Sequence, residues 1–347
     1  KSVIFVRISN MSPMKFKLNI IFALFFTIFC VNRLQAQEKA FPKKGEGITL
    51  FLKRHNRTGI SYQKQFIELN KNKLGKGNTL RIGVKYTLPP LQGKEAVASA
   101  IKRANYEPLF GKELASYKVT SSELKGACFY LVSGHGGPDP GAIGRIGKIE
   151  LHEDEYAYDI VLRLARNLMT KGAKVHIIIQ DAKDGIRDAK YLKNSKRETC
   201  MGSPIPLSQV SRLDQRCAKI NSLSRKDKET YKRAIFIHVD SRSRHQRTDV
   251  FFYHKPKDQA SKRLAKTMKS PFSRKYNRHQ PGRGFSGTVD DRNLYVLRHT
   301  TPTSVFVELG NIQNQYDQQR IILSNNRQAL ANWLCEGFVT DYNYYRK

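Results

Sequence analysis

Between residues 124 and 345, short apolar runs alternate with amphipathic segments, and this alternation restricts the possible folds more than any other feature. The run GACFYLVSG at 126–134 has the length of a buried strand. The segment EDEYAYDIVLRLARNLMTKG at 153–172 places apolar residues four positions apart, as on one face of a helix. Because strands that alternate with helices form largely parallel sheets, we predict an α/β domain over 124–345. Its twisted, largely parallel sheet should be flanked by helices.

The same patterns predict the remaining elements of this domain. Further strands are expected at KVHIIIQD (174–181), RAIFIHVDS (233–241), DVFFYH (249–254), NLYVLR (293–298) and SVFVELG (304–310), and further helices at 207–223, 259–270 and 325–343.

The N-terminal 36 residues have the composition of a secretory signal. Basic residues follow Met14, an apolar run extends from Ile20 to Val31, and the small residue Ala36 offers a cleavage site. The run is shorter than the roughly 20 residues that span a bilayer, although an uncleaved anchor remains an alternative. We therefore predict residues 1–36 to be upstream sequence and signal peptide, and the protein to be exported, to the periplasm or the exterior, in association with the cell wall.

The charge balance predicts an anionic partner. The chain carries 62 Lys and Arg against 29 Asp and Glu, a formal net charge of +33. Such a surface attracts polyanions, and for an exported protein these are anionic envelope polymers, with no nucleic acid expected. The widely spaced cysteines after residue 36 exclude a compact CxxC metal motif. Cys200 and Cys217 could form a disulfide or remain free thiols, and both possibilities stay open.

Polar residues end three predicted strands at positions where apolar runs would not place them. His135, His238 and Glu308 occupy these positions, and Glu153 opens the long helix that follows the first strand. Ligands collect at the carboxyl ends of strands in open α/β sheets. Two histidines and one carboxylate with an open fourth position form a catalytic zinc set, for which Glu308 could serve as general base. A helix N-terminus favours acidic residues in any case.

Four segments resemble the zinc-dependent N-acetylmuramoyl-L-alanine amidases of the AmiC type (amidase_3). They are GHGGPDPGAIG at 134–144, LHEDEYAYDIVLRLA at 151–165, FIHVDS at 236–241 and RNLYVLRHTTPTSVFVELGNIQN at 292–314. The resemblance implies that His135, Glu153 and His238 are zinc ligands and that Glu308 is the catalytic glutamate. The helix register favours Glu153 over Glu155. The family cleaves the amide between N-acetylmuramic acid and the L-alanine of the stem peptide.

Residues 43–90 form a second, smaller region. Its strand–helix–helix–strand order and its KYTLP ending resemble a LysM module, an α+β unit that binds N-acetylglucosamine-containing glycans. A basic spacer without glycan affinity is the alternative. Residues 91–122 are predicted to be a linker, with a possible helix at 93–105.

These features predict a secreted, zinc-dependent peptidoglycan hydrolase for cell-wall remodelling or daughter-cell separation. Its partners would be the glycan strand and stem peptide of peptidoglycan, and the resemblance also suggests a protein activator. Two alternatives remain: a catalytically degenerate cell-wall-binding protein, and a zinc peptidase that acts within the stem peptide.

Overall fold

The computed structural model describes residues 38–91 and 105–346, which belong to two compact units divided between Arg103 and Ala104. The predicted signal segment at 1–36 lies outside the described residues, and so does the predicted helix up to residue 104. Within the described residues, no helix is both long enough and apolar enough to cross a bilayer.

The smaller unit has the predicted order of strand, helix, helix and strand. Its elements are β1 (Lys39–Ala40), α1 (Ile48–Arg54), α2 (Ile60–Asn70), a 3₁₀ turn (Lys76–Asn78) and β2 (Tyr86–Thr87). β1 and β2 pair antiparallel. The predicted final strand over 79–89 shortens to two residues, because Gly83 turns the chain with a φ of +80°. The rings of Phe51, Phe66 and Tyr86 pack together in a separate small core.

The larger unit alternates strands with helices as predicted. Its strands are β3 (Asn105–Tyr106), β4 (Ser116–Tyr117), β5 (Ala127–Ser133), β6 (Ile143–Ile146), β7 (Ile149–His152), β8 (Lys174–Ile177), β9 (Ile179–Gln180), β10 (Thr199–Cys200), β11 (Ser203–Pro204), β12 (Tyr231–Asp240), β13 (Phe251–His254), β14 (Thr288–Asp291) and β15 (Thr303–Asn311). Its helices are α3 (Glu153–Thr170), α4 (Gln209–Lys226), α5 (Gln259–His279), α6 (Tyr295–His299), α7 (Gln315–Ile322) and α8 (Ser324–Tyr345), with a 3₁₀ turn at Pro108–Phe110.

A six-stranded sheet in the order β14-β13-β15-β12-β5-β8 lies at the centre of this unit. The pairs among β8, β5, β12 and β15 are parallel, whereas β13 runs antiparallel to β15. The largely parallel sheet flanked by helices is therefore confirmed, with one antiparallel pairing near the β14 edge. Because the carboxyl ends of β5, β12 and β15 meet at the same edge, residues near those ends come close together.

Side-chain alternation along β5 separates two hydrophobic layers. Phe129 and Leu131 face the layer built by α3, α5 and α8, whereas Cys128, Tyr130 and Val132 face the layer on the α4 side. All seven residues of β5 are buried, as expected for a central parallel strand covered on both faces. The first turn of α3 contains three acidic residues, which favour a helix start at this point.

Two sequence predictions differ from the structure, and the structure decides a third point that the sequence left open. The predicted linker at 91–122 is too long, because residues from Asn105 onward belong to the larger unit and Phe110 is buried in its core. The predicted strand at 293–298 is instead part of helix α6, in which Tyr295 stacks on His299 one turn later. The four cysteines of the described residues are free, so Cys200 and Cys217 form no disulfide.

Candidate metal centre

His135 lies two residues beyond β5, in a left-handed backbone conformation with a φ of +58°. Non-glycine residues adopt this conformation at a cost of roughly 1 kcal/mol, and such strain is concentrated at functional sites. Gly136 and Gly137 continue the turn with positive φ values. The His135 carbonyl accepts a hydrogen bond from Arg216, and Nδ1 lies 2.9 Å from Oδ2 of Asp139. Arg216 thus holds the backbone of His135, and Asp139 holds its ring.

Glu153 is the first residue of α3, and its carboxylate is buried between the two histidines. Oε2 lies 3.3 Å from Nε2 of His135, and Oε1 lies 2.9 Å from Nδ1 of His238. Each oxygen also accepts a backbone hydrogen bond, from Ala142 at 2.9 Å and from Val239 at 3.1 Å. The helix start therefore fixes the carboxylate directly opposite both rings.

His238 lies in β12, whose pairing with β15 continues to Asp240 beyond an irregularity in the register. Its ring stacks on Phe306, with centroids 4.3 Å apart, and meets the ring of His135 edge to face at 4.9 Å. Gly134 packs directly against this imidazole, at a position where a Cβ atom would overlap the ring. The glycine is required here by the close approach of the ring.

The structure thus brings His135, Glu153 and His238 together, with one donor atom from each within 4.8 Å of the others. Tetrahedral zinc with ligands at about 2.0–2.1 Å places neighbouring nitrogen and oxygen ligands about 3.3 Å apart. The 3.3 Å separation of His135 Nε2 and Glu153 Oε2 fits that value. Two imidazoles and one carboxylate are also a donor set typical of catalytic zinc. The residues present therefore fit the metal.

The electrostatics of the cluster favour a cation. Burial alone would lower the pKa of His135, but its hydrogen bonds with Asp139 and Glu153 raise it to about 10. Burial would raise the pKa of Glu153, yet its contacts with both imidazoles hold it well below its usual range. Burial lowers the pKa of His238. A divalent cation would interact with the same negative groups that stabilise the proton on His135.

Glu308 lies beside this cluster on β15. It pairs in register with His238, and its Oε2 is buried with no hydrogen-bond partner among the described residues. Burial raises the pKa of Glu308 well above its usual range, and the charges of Glu153 and Asp240 raise it further. Arg292, which is exposed, opposes this shift. A carboxyl group in such surroundings can hold and release a proton near neutral pH.

The two other acids at the start of α3, Asp154 and Glu155, belong to a different group of side chains. Glu155 pairs with Arg187 at 2.8 Å. Together with Asp154 and Glu198 it forms a different group of carboxylates. Glu153 alone among these three helix-start acids therefore contacts both His135 and His238.

Sequence reasoning missed the groups that support the cluster. Asp139 accepts a hydrogen bond from the Gly141 amide, and it also contacts His135 and pairs with Arg212 at 2.7 Å. Glu198 accepts a hydrogen bond from the Gly137 amide at 2.8 Å. The only sequence signal for Asp139 is its position before Pro140 in the first motif. Nothing in the sequence pointed to Arg212, which lies 73 positions away from Asp139.

The sequence pattern of a known family, described as N-acetylmuramoyl-L-alanine amidase (Amidase_3), matches residues 130–339. The chain belongs to this family. The match covers all four predicted site residues, and the family resemblance inferred from the motifs is confirmed. The roles of the individual site residues remain predictions.

Similar proteins include a cell wall amidase of Bacillus anthracis that is described as uncharacterized. It is 23% identical over 251 residues, which are 70% of this chain but only 40% of that protein. The match thus spans less than half of the relative's length.

Among solved structures, an N-acetylmuramoyl-L-alanine amidase from Clostridium difficile 630 is 20% identical, with a TM-score of 0.46, over 63% of this chain and 98% of that one. The CwlD amidase of Clostridioides difficile, solved in complex with the GerS lipoprotein, is 17% identical, with a TM-score of 0.47. That match covers 63% of this chain and 99% of the CwlD chain. The N-acetylmuramoyl-L-alanine amidase AmiC2 of Nostoc punctiforme is 17% identical, with a TM-score of 0.45. That match covers 65% of this chain and 99% of the AmiC2 chain.

Proposed function

We propose that this protein is a zinc-dependent peptidoglycan amidase that cleaves the amide between N-acetylmuramic acid and the L-alanine of the stem peptide. The observation that carries the proposal is the convergence of His135, Glu153 and His238 beside Glu308. These residues come from four separate segments of an Amidase_3 chain. A purely structural role would not require a buried carboxyl oxygen without a hydrogen-bond partner, Oε2 of Glu308, beside two imidazoles.

His135, Glu153 and His238 would hold the zinc ion. When bound with an open position, zinc polarises a substrate carbonyl and lowers the pKa of a coordinated water to about 7. Glu308 would take a proton from the attacking water and pass it to the amide nitrogen that leaves with L-alanine. The products are a free lactyl carboxyl group on muramic acid and a stem peptide with a free amino terminus.

Other residues of the chain would prepare this reaction. Asp139 orients His135 through Nδ1, and Arg212 holds Asp139 in turn. Arg292 is exposed beside Glu308 and stacks on Tyr253 with 4.8 Å between its guanidinium carbon and the ring centroid. A planar guanidinium in that place suits a carboxylate of the stem peptide.

We extend the proposal to the rest of the chain. Residues 1–36 would direct export, so that the protein acts in the periplasm or outside the cell. The LysM-like unit would hold the glycan strand, and the basic surface would interact with anionic envelope polymers. The family resemblance suggests a protein activator. The cellular role would be cell-wall remodelling or daughter-cell separation.

Mass spectrometry of digested sacculi tests the proposed reaction. Purified sacculi are incubated with the zinc-loaded protein, with the chelated protein, and with chelated protein to which zinc is returned. We expect intact stem peptides and free lactyl carboxyl groups in the first and third samples only. Cleavage inside the stem peptide would instead identify a zinc peptidase. Binding to sacculi without any zinc-dependent product would identify a degenerate binding protein.

Sedimentation with sacculi tests the attachment of the full-length protein. Binding that persists at high salt supports glycan recognition, because interactions between exposed charges are screened. Complete release of the protein from sacculi at high salt would mean that only the basic surface attaches it, and that the LysM-like unit does not hold the glycan.

A further inference from the structure

A second cluster of metal-ligating side chains lies at the amino-terminal end of the sheet, away from the edge that carries His135. Cys128 is the second residue of β5, His176 lies on the neighbouring strand β8, and Asp227 is the residue that ends α4. Lys174 is the in-register partner of Cys128, and His176 is that of Tyr130. Three separate elements thus place a thiol, an imidazole and a carboxylate together.

Oδ2 of Asp227 is the centre of this cluster. It lies 3.5 Å from the Cys128 sulfur and 3.0 Å from Nε2 of His176, and it accepts a hydrogen bond of 2.6 Å from the Tyr130 hydroxyl. The Tyr130 and His176 rings are stacked, 9° from parallel. The three candidate donor atoms all lie within 4.8 Å of one another.

We propose that Cys128, His176 and Asp227 form a second metal site, for zinc or a chemically similar transition metal ion that binds thiolate. Nothing in the amidase chemistry uses these residues, and the site is independent of the proposed hydrolysis. It would join β5, β8 and the end of α4 at the sheet end opposite the candidate catalytic centre.

The distances match the dimensions of a tetrahedral zinc site. With zinc–sulfur at about 2.3 Å and zinc–oxygen at about 2.0 Å, sulfur and oxygen ligands lie about 3.5 Å apart. Cys128 Sγ and Asp227 Oδ2 have that separation. The His176 to Asp227 distance is 0.3 Å shorter than the about 3.3 Å of a nitrogen–oxygen ligand pair, a difference that small rotations remove.

The surrounding groups also suit a metal site. Tyr130 donates to the ligating oxygen of Asp227, as hydrogen bonds around a metal ligand commonly do. Lys174 pairs with the other oxygen, Oδ1, at 2.6 Å and is part-exposed, so it leaves the Oδ2 side to the ion. A water would complete the coordination.

The side chain of His176 is 17% exposed and gives access to the site from the surface. Cys128 itself is fully buried, which protects its sulfur from bulk oxidants. The wide spacing of the cysteines along the chain concealed this group, because its members are 51 and 99 positions apart.

Cobalt substitution in the full-length protein tests the proposal. A thiolate bound to Co²⁺ gives a near-ultraviolet charge-transfer band, and the candidate catalytic centre contains no thiol. We expect this band in the wild type, its loss in Cys128→Ser, and its retention in Cys335→Ser, which removes another buried thiol. Absence of the band in a wild-type protein that binds cobalt would overturn the proposal.

Two further variants keep the test decisive if Cys128→Ser does not fold. His176→Gln removes a ligand but leaves the thiol, and we expect its zinc affinity at the site to fall at least tenfold. Tyr130→Phe should reduce the affinity by about 10- to 100-fold, because the hydrogen bond to the ligating oxygen is lost. Affinities unchanged from wild type in both variants would show that Asp227 only organises a hydrogen-bonded cluster.

Discussion

His238 and Glu308 lie opposite each other on adjacent parallel strands, β12 and β15, in direct register. One is a predicted metal ligand and the other the predicted proton carrier. Backbone hydrogen bonds of the sheet hold the two Cα atoms, so the distance between the metal ligand and the proton carrier depends on the rigid core of the molecule. It does not depend on a loop. A site built in this way is already organised before substrate binds.

Replacing Glu308 by Gln should abolish hydrolysis while the metal stays bound. The amide keeps the size of the side chain but cannot carry the proton, and loss of a general base costs about 10²- to 10⁴-fold in rate. Digestion rates on sacculi, together with zinc content, measure both effects. Glu113→Gln, at an exposed carboxylate, is the control and should retain full activity. Near wild-type turnover by Glu308→Gln would refute the assigned role.

The same variant should stabilise the metal-free protein at neutral pH. Burial raises the pKa of Glu308 well above its usual range, so the folded state binds more protons than the unfolded state above about pH 4. Stability therefore falls as pH rises through that interval, and Gln removes this loss. The free energy of unfolding of Glu308→Gln should therefore exceed that of wild type near neutrality, and the excess should grow as the pH rises above about 4.

Denaturant titrations of both metal-free proteins across the acid range measure that difference. It should shrink towards zero below about pH 4, where the unfolded carboxyl group is also protonated. A difference independent of pH would mean that Glu308 ionises without cost in the folded protein.

Gly134→Ala should displace His238 and weaken metal binding without unfolding the domain. The added methyl group would overlap the imidazole, whose other face stacks on Phe306. Zinc content after dialysis, with circular dichroism as the test of folding, measures the effect. Gly47→Ala is the matched control, because a Cβ there meets nothing within 4 Å. Full zinc occupancy in Gly134→Ala would contradict the close packing described.

Asp139→Asn should lower zinc affinity by about 10- to 100-fold, as loss of a carboxylate that supports a ligating histidine commonly does. Asn can still accept the Gly141 hydrogen bond that shapes the turn, but it carries no charge for His135 or Arg212. Competition with a chromogenic chelator gives the affinity. Asp214→Asn, at an exposed carboxylate of α4, should leave it unchanged. An equal loss in both variants would indicate a general charge effect.

Long, strongly patterned elements were predictable, and short ones were not. The strand containing His238 and the helix that starts at Glu153 follow directly from apolar periodicity. The two-residue strands β3 and β4 carry too little pattern to detect, and their residues therefore fell within the predicted linker. The apolar run at Tyr295 satisfied either helix or strand, and its i,i+4 ring stacking decided for the helix.

The alternation of strands and helices and the four residues of the candidate centre could be predicted from the amino-acid sequence, because local periodicity and motif spacing are properties of neighbouring residues. The side chains that support these four residues could not be predicted in this way. The contacts of Arg212 with Asp139 and of Cys128 with Asp227 join residues 73 and 99 positions apart. Such pairs depend on strand register and helix packing, which leave no local trace in the chain.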